Sequence, residues 1–302
     1  MGSKPFFVTV LILVSLITYL AVSAPLPLLE KPHVGATIPI QRVLSMAEAE
    51  NDVVRTLWTR EIVGAGKTVG LQFDEDWRER GVEAGPLPAL FLRETAKSLE
   101  KSPVRLSLYL GSDFPIKTAN SFKGKQREKF QIIKETREPQ FFYVEDTGLY
   151  TASFADIAVA PPCVQCHNEH EQSSKHDWKL NDVMGATTWS YPSASVTLDE
   201  AIEILTALRK GFNEAYSAYL TKTASFAKRP EIGERWPREG YYLPSAEVFM
   251  EKVVELTSAH TLDAIISAAA SLSQTQIVSS SKEQLEKPMP RKGEALLPDQ
   301  KG

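Results

Sequence analysis

The chain has 302 residues with a net charge of −4, 43% apolar residues and 24% charged residues. That balance is enough to bury a core in one large domain or two small ones. It carries no basic excess of the kind a nucleic-acid binder needs, so nucleic acid is excluded as a partner. There are only two cysteines, which rules out a multi-disulfide scaffold.

The first element is an apolar run, Phe6 to Ala24, after a short start bearing Lys4. Its length lies between a signal-peptide core and a membrane span. Ala21-Val22-Ser23-Ala24 suits signal-peptidase cleavage, whereas Pro25 opposes a cut there. We expect residues 1–24 to be a signal peptide or a membrane anchor. Either places the remaining chain in a periplasm, soluble or tethered to the inner membrane.

Residues 25–39 are proline-rich and read as a linker. A helix is predicted over roughly Ile40 to Val63, stopped by Gly64-Ala65-Gly66. A second helix runs from about Pro86 to Lys101, followed by a strand over Val104 to Leu110 and a turn at Gly111-Ser112-Asp113. Ser121 to Glu135 is highly charged and predicts a surface helix. Phe141 to Val144 and Leu149 to Val159 predict two strands joined by the turn Glu145-Asp146-Thr147-Gly148.

Both cysteines then arrive together, in Cys163-Val164-Gln165-Cys166-His167, directly after Pro161-Pro162. This is the spacing of covalent haem attachment. Two thiols reach the two vinyl groups at one porphyrin edge as thioethers, and the next residue brings an imidazole beneath the iron. Three other readings remain: a redox-active Cys-x-x-Cys pair, a local disulfide, and a zinc site built from Cys163, Cys166, His170 and His176. The haem reading best matches an extracytoplasmic location. It predicts one covalent haem c, with Cys163 and Cys166 holding the porphyrin and His167 the metal.

Val183 to Tyr191 predicts a strand interrupted at Gly185. From Thr197 the pattern turns helical, with a capping box at Thr197 and Glu200 and an apolar face of Ile202, Leu205, Leu208, Phe212, Ala215 and Tyr219. A connector rich in Trp, Tyr and Pro, Arg229 to Leu243, precedes a last helix over about Ser245 to Leu272. We expect residues 196–276 to be a helical extension and 277–302 a disordered tail. There is no internal repeat and no Ser-His-Asp, phosphate-loop or dinucleotide pattern, so no enzyme is expected.

Three segments resemble the single-haem-c, PAS-like sensor domains of bacterial membrane signalling proteins. They are Pro86 to Ala96, the stretch Ser107 to Phe130 with Asn120, and the motif Cys163 to His167 followed by Val183-Met184-Gly185-Ala186. The resemblance covers about Gln41 to Pro192. It implies an α+β fold over residues 40–195, an antiparallel sheet flanked by helices, with a long N-terminal helix and a C-terminal helical pair beyond it. It also implies a second axial ligand from the N-terminal helix, where Met46 is the candidate. Met184 is the runner-up; His33, His170, His176 and His260 are weaker. Arg93, Asn120 and Trp189 are candidates to line the haem or its propionates. In such relatives a second membrane span and an output domain often follow. Neither is expected from the residues that follow the motif here, so the expected partner is a separate membrane-bound signalling or redox protein, with homodimerisation left open. The expected function is a redox or gas sensor module, with a periplasmic monohaem electron-transfer protein as the alternative.

Overall fold

A computed structural model describes residues 37–159, 161–258 and 261, together with Leu13, Val14 and Tyr19. The chain divides into two compact units, Met1–Ala36 and Thr37–Gly302. In the first, the three described side chains are exposed. Apart from Leu13, Val14 and Tyr19, the leader expected over 1–24 lies outside the described residues, as do residues 25–36 of the expected linker with His33, His260, and the tail at 277–302; residues 38–39 of that linker form a strand instead. Among the described residues no helix is long and apolar enough to cross a membrane.

The second unit is α+β, as expected. It opens with a short strand β1 (Ile38–Pro39) and helix α1 (Ile40–Leu57), which continues as a π-helical stretch (Trp58–Gly64) and a short helix α2 (Ala65–Thr68). Here the structure corrects the sequence reading, because Gly64-Ala65-Gly66 does not stop the helix. Gly66 is buried against Leu71 and Phe73, and a Cβ there would come within 3.0 Å of Leu71 Cδ1. The glycine admits the returning chain instead of ending the helix.

Strands β2 (Phe73–Asp74) and β3 (Gly85–Pro86) pair in parallel and lead to α3 (Pro88–Lys101), whose first residue is the proline favoured at that position. Strand β4 (Ser107–Gly111) is followed by a 3-10 turn (Thr118–Asn120) and α4 (Gly124–Thr136). Strands β5 (Gln140–Val144) and β6 (Leu149–Ile157) form the predicted hairpin. Gly148 in the turn has φ +68°, a conformation that glycine adopts without steric cost. Helix α5 (Pro161–Glu169) carries the cysteine motif, and β7 (Val183–Tyr191) returns through the sheet centre. Strand β7 runs continuously through Gly185, but the register shifts beside it: Asp156 pairs with Gly185 and Ile157 with Val183, which leaves Met184 of β7 as the extra residue.

The sheet order is β4-β7-β6-β5, antiparallel throughout. Side chains alternate between its faces. Ala152, Phe154, Asp156, Thr187 and Trp189 face α1. Ala155 and Ala186 face α4, where Phe122, Phe130 and Ile133 cover them.

Beyond the sheet, a short strand β8 (Ser195–Val196) pairs with β1, and α6 (Leu198–Thr223) begins with the capping box predicted at Thr197 and Glu200. Two short parallel strands, β9 (Glu231–Gly233) and β10 (Tyr242–Pro244), fill the connector, and residues 246–258 are helical. Ile202, expected on the apolar face of α6, is exposed, while Ile204 and Tyr216 are buried. One hydrophobic core runs from Ile38 to Val253 and includes α1, α3, α6 and the 246–258 helix. Its centre is aromatic. Trp58 stacks on Phe91 at 4.5 Å and Tyr216 on Phe249 at 4.1 Å, and each such pair adds about 1 kcal/mol to the burial of its area.

Candidate functional site

Helix α5 settles how the motif presents itself. Positions i, i+3 and i+4 of a helix share one face, so Cys163, Cys166 and His167 project together. Both thiols are free; Cys163 is half-buried and Cys166 exposed. The residues therefore fit a porphyrin gripped along one edge with an imidazole beneath it. His167 adds a second mark of fit, since its Nδ1 is buried without a hydrogen-bond partner. Burial holds this imidazole below its usual pKa, with Asp156 opposing and His170 reinforcing the shift. The ring is thus neutral at neutral pH, the form that ligates a metal.

The walls around α5 come from distant parts of the chain. Trp178 meets the His167 ring edge-on, with centroids 6.5 Å apart, and is held by Asn168, whose side chain bonds both its N–H and its carbonyl. The Trp178 indole nitrogen is also buried without a partner. Ala158, Trp178 and Met184 form a small apolar cluster against Cys163 and Val164. Phe114 packs edge-on against Trp178 at 6.2 Å, and its amide donates to Ser112 Oγ, which in turn donates to the Met184 carbonyl. Asp156, at the end of β6, forms an ion pair with Arg55 of α1. That pairing raises the Arg55 guanidinium still further above its usual range, against the opposing effect of burial.

His170 bonds Glu75 at 2.8 Å, and His176 bonds the Asn168 carbonyl at 2.7 Å. Neither is turned with the thiols toward a common point. Among the described residues no group of three or more His, Cys, Asp or Glu side chains is placed to hold a metal ion. The zinc arrangement weighed from the sequence is therefore not assembled.

The other sequence candidates separate in space. Arg93, on α3, lines a cavity of about 320 Å³ with Glu75, Trp77 and Leu90, and so approaches the motif from the Glu75 side. Asn120 ends the 3-10 turn, where its carbonyl accepts from the Ser112 amide. It supports the loop that carries Phe114 rather than facing α5. Met184 lies in the cluster against Cys163. Met46 is buried on α1, nine residues before Arg55, about 14 Å along the helix axis at 1.5 Å per residue. It therefore sits toward the opposite end of α1 from the contact with Asp156. Trp189 lies at that same opposite end, four residues from Gly185, or about 13 Å along the strand. Its indole N–H donates to Glu48 Oε2 at 2.5 Å.

Glu48 is nearly fully buried, and its pKa stands well above the ordinary value of 4.5, first because of burial and then because of nearby Asp52. The folded state thus keeps a proton that the unfolded chain releases above pH 4.5. Stability contributed here falls as pH rises from that value through the folded pKa. Glu48→Gln, which keeps an acceptor for Trp189, should leave stability unchanged at pH 4. At pH 7.5 it should raise stability, measured by thermal unfolding at both pH values.

Residues that sequence reasoning missed include Arg55, Glu75, Phe114, Asp156 and Trp178. Trp178 and Asp156 lie eleven residues either side of His167, whereas Arg55, Glu75 and Phe114 reach the site through pairings more than forty residues apart in sequence.

No curated protein and no solved structure matches the chain. The family model of the Tll0287-like domain matches residues 38–192, which spans β1 to the end of β7 and contains α5 with its motif. The chain belongs to the Tll0287-like family, a family of haem-binding, sensor-like domains.

Proposed function

We propose that this protein is an extracytoplasmic c-type haem protein that senses redox state or a diatomic gas and signals through a partner. The observation that carries the reading is the single face of α5. It presents the chain's only two thiols together with one half-buried imidazole whose Nδ1 is unpartnered, inside a haem-binding, sensor-like family. Cys163 and Cys166 would hold the porphyrin covalently and His167 would ligate the iron; Met46, the second ligand that the sequence resemblance implies, stands too far along α1 from Asp156 to be assigned that role here. Haem, when bound, would supply one-electron chemistry and a position for diatomic ligands.

The protein's own residues provide a route from that site to its helices. Asp156 acts on His167 and holds Arg55 of α1. Five residues earlier on the same helix, Glu50 is 1% exposed and takes a bidentate bond from Arg209 of α6, at 2.9 and 2.6 Å. Arg209 also donates to Thr257, and Thr261 donates to Glu50. A shift of α5 that altered the Asp156–Arg55 pair would bias α1, and through Glu50 the C-terminal helices.

The exposure of Cys166 favours a second reading, electron transfer, because it would leave a porphyrin edge near solvent. Hydrogen exchange separates the two. For a sensor, reduction or addition of CO or NO should change protection along α1 and α6 together with the haem spectrum. Spectral change without any change in protection would support the electron carrier and remove the sensor reading.

A further inference from the structure

The chain is acidic overall, yet residues 117–137 carry seven lysines and arginines against two glutamates. They form the loop after Phe114, the 3-10 turn and α4. Several of these cations are neutralised locally. Lys134 and Arg127 take Asp113, Lys125 takes Glu145, and Lys129 takes Glu128. Lys117 and Lys123 are exposed and have no carboxylate partner among the described residues. Exposed Arg137 spends its guanidinium on a carbonyl, that of Asn181, and so keeps its charge. Exposed Lys179 likewise has no ion pair among the described residues, although its amide bonds Asp182.

These four cations converge on the motif's surroundings. Lys117 lies three residues from Phe114, which is 41% exposed and packs on Trp178, itself against His167. Ser112 pairs with Ser121, bringing Lys123 back beside that loop. Asn181, which receives Arg137, bonds Ala158 in the cluster against Cys163. The nearby acids are Asp113, buried in its own ion pairs, Glu138, Asp182, and exposed Asp177, which pairs with Lys175 and also interacts with Lys179.

We propose that the face bearing Lys117, Lys123, Arg137 and Lys179 around the Phe114 ring is the docking surface for an acidic protein partner. The proposal deepens the haem reading and rests on it for the identity of the neighbouring site. A membrane surface fits less well. Peripheral helices insert apolar side chains beneath their basic face, whereas Phe130 and Ile133 of α4 are buried inward on the sheet. A polar, basic surface around one exposed ring suits electrostatic steering toward carboxylates instead.

The test exploits the conflict between net and local charge. Full-length ferrous protein is oxidised by ferricyanide in a stopped-flow instrument at increasing ionic strength, one electron passing from the haem to give ferrocyanide. The local surface predicts rates that fall about threefold or more between low and physiological salt. Lys117→Glu with Lys123→Glu should abolish or reverse that dependence without changing thermal stability. A wild-type rate that rises with salt, as the net negative charge alone would give, overturns the proposal. Beads bearing poly-L-glutamate and vesicles containing phosphatidylglycerol provide a second readout that needs no haem. Retention on the beads at low salt, lost in the double variant, supports the proposal; failure to bind the beads, or binding to vesicles alone, overturns it. Colourless protein would count against the haem reading, while the bead measurement still decides the surface.

Discussion

Serine at both 163 and 166 is expected to abolish covalent pigment altogether. Protein exported by a host competent in cytochrome c maturation should then yield all of its haem to acidified acetone. Its fold should be retained, since neither cysteine belongs to the main core and Cys166 is exposed. Single serine variants should keep one attachment and therefore show a shifted haemochrome band. His167→Ala should preserve both thioether positions but change the iron's coordination, read in the ferric spectrum. The two effects separate because the thiols grip the porphyrin while the imidazole addresses the metal. Loss of folding in the double serine variant, judged by circular dichroism, would mean that the thiols serve the core rather than a cofactor.

The largest stability effect is expected at Arg209. Its partner Glu50 is almost wholly buried, and removing the guanidinium leaves that carboxylate with Thr261 as its remaining donor. Breaking one side of such a pair costs about 3–5 kcal/mol. Arg209→Ala should lower the denaturant midpoint accordingly without altering the slope of the transition. Replacing both members, Glu50→Leu with Arg209→Met, should recover much of the loss, because a well-packed apolar pair escapes the desolvation penalty. If Arg209→Ala costs less than about 1 kcal/mol, the α1–α6 linkage is too weak to carry a signal.

Local chemistry was legible in the sequence where it acts within a few residues. The Thr197–Glu200 capping box and the Glu145–Gly148 hairpin turn operate at short range, and each corresponds to an observed element. Gly66 misled for a physical reason. The same missing side chain that ends helices also permits close packing, and only the position of Leu71 and Phe73 distinguishes the two. The site walls were illegible because they depend on topology. Arg55 meets Asp156 across 101 residues, and Glu75 meets His170 across 95. No periodicity in either segment encodes its partner. Met46 illustrates the limit. Its residue type suits an axial ligand and its helix is the one that the resemblance implies, but the axial rise sets it toward the far end of α1 from Asp156.

Mass spectrometry of the proteolytic fragment spanning residues 163–167, taken from correctly exported protein, bears most directly on the account. It should carry one haem bound through both sulfurs, and neither thiol should react with iodoacetamide in the denatured chain. A fragment of unmodified mass whose two cysteines are both alkylated would contradict the assignment of this helix as a haem attachment site.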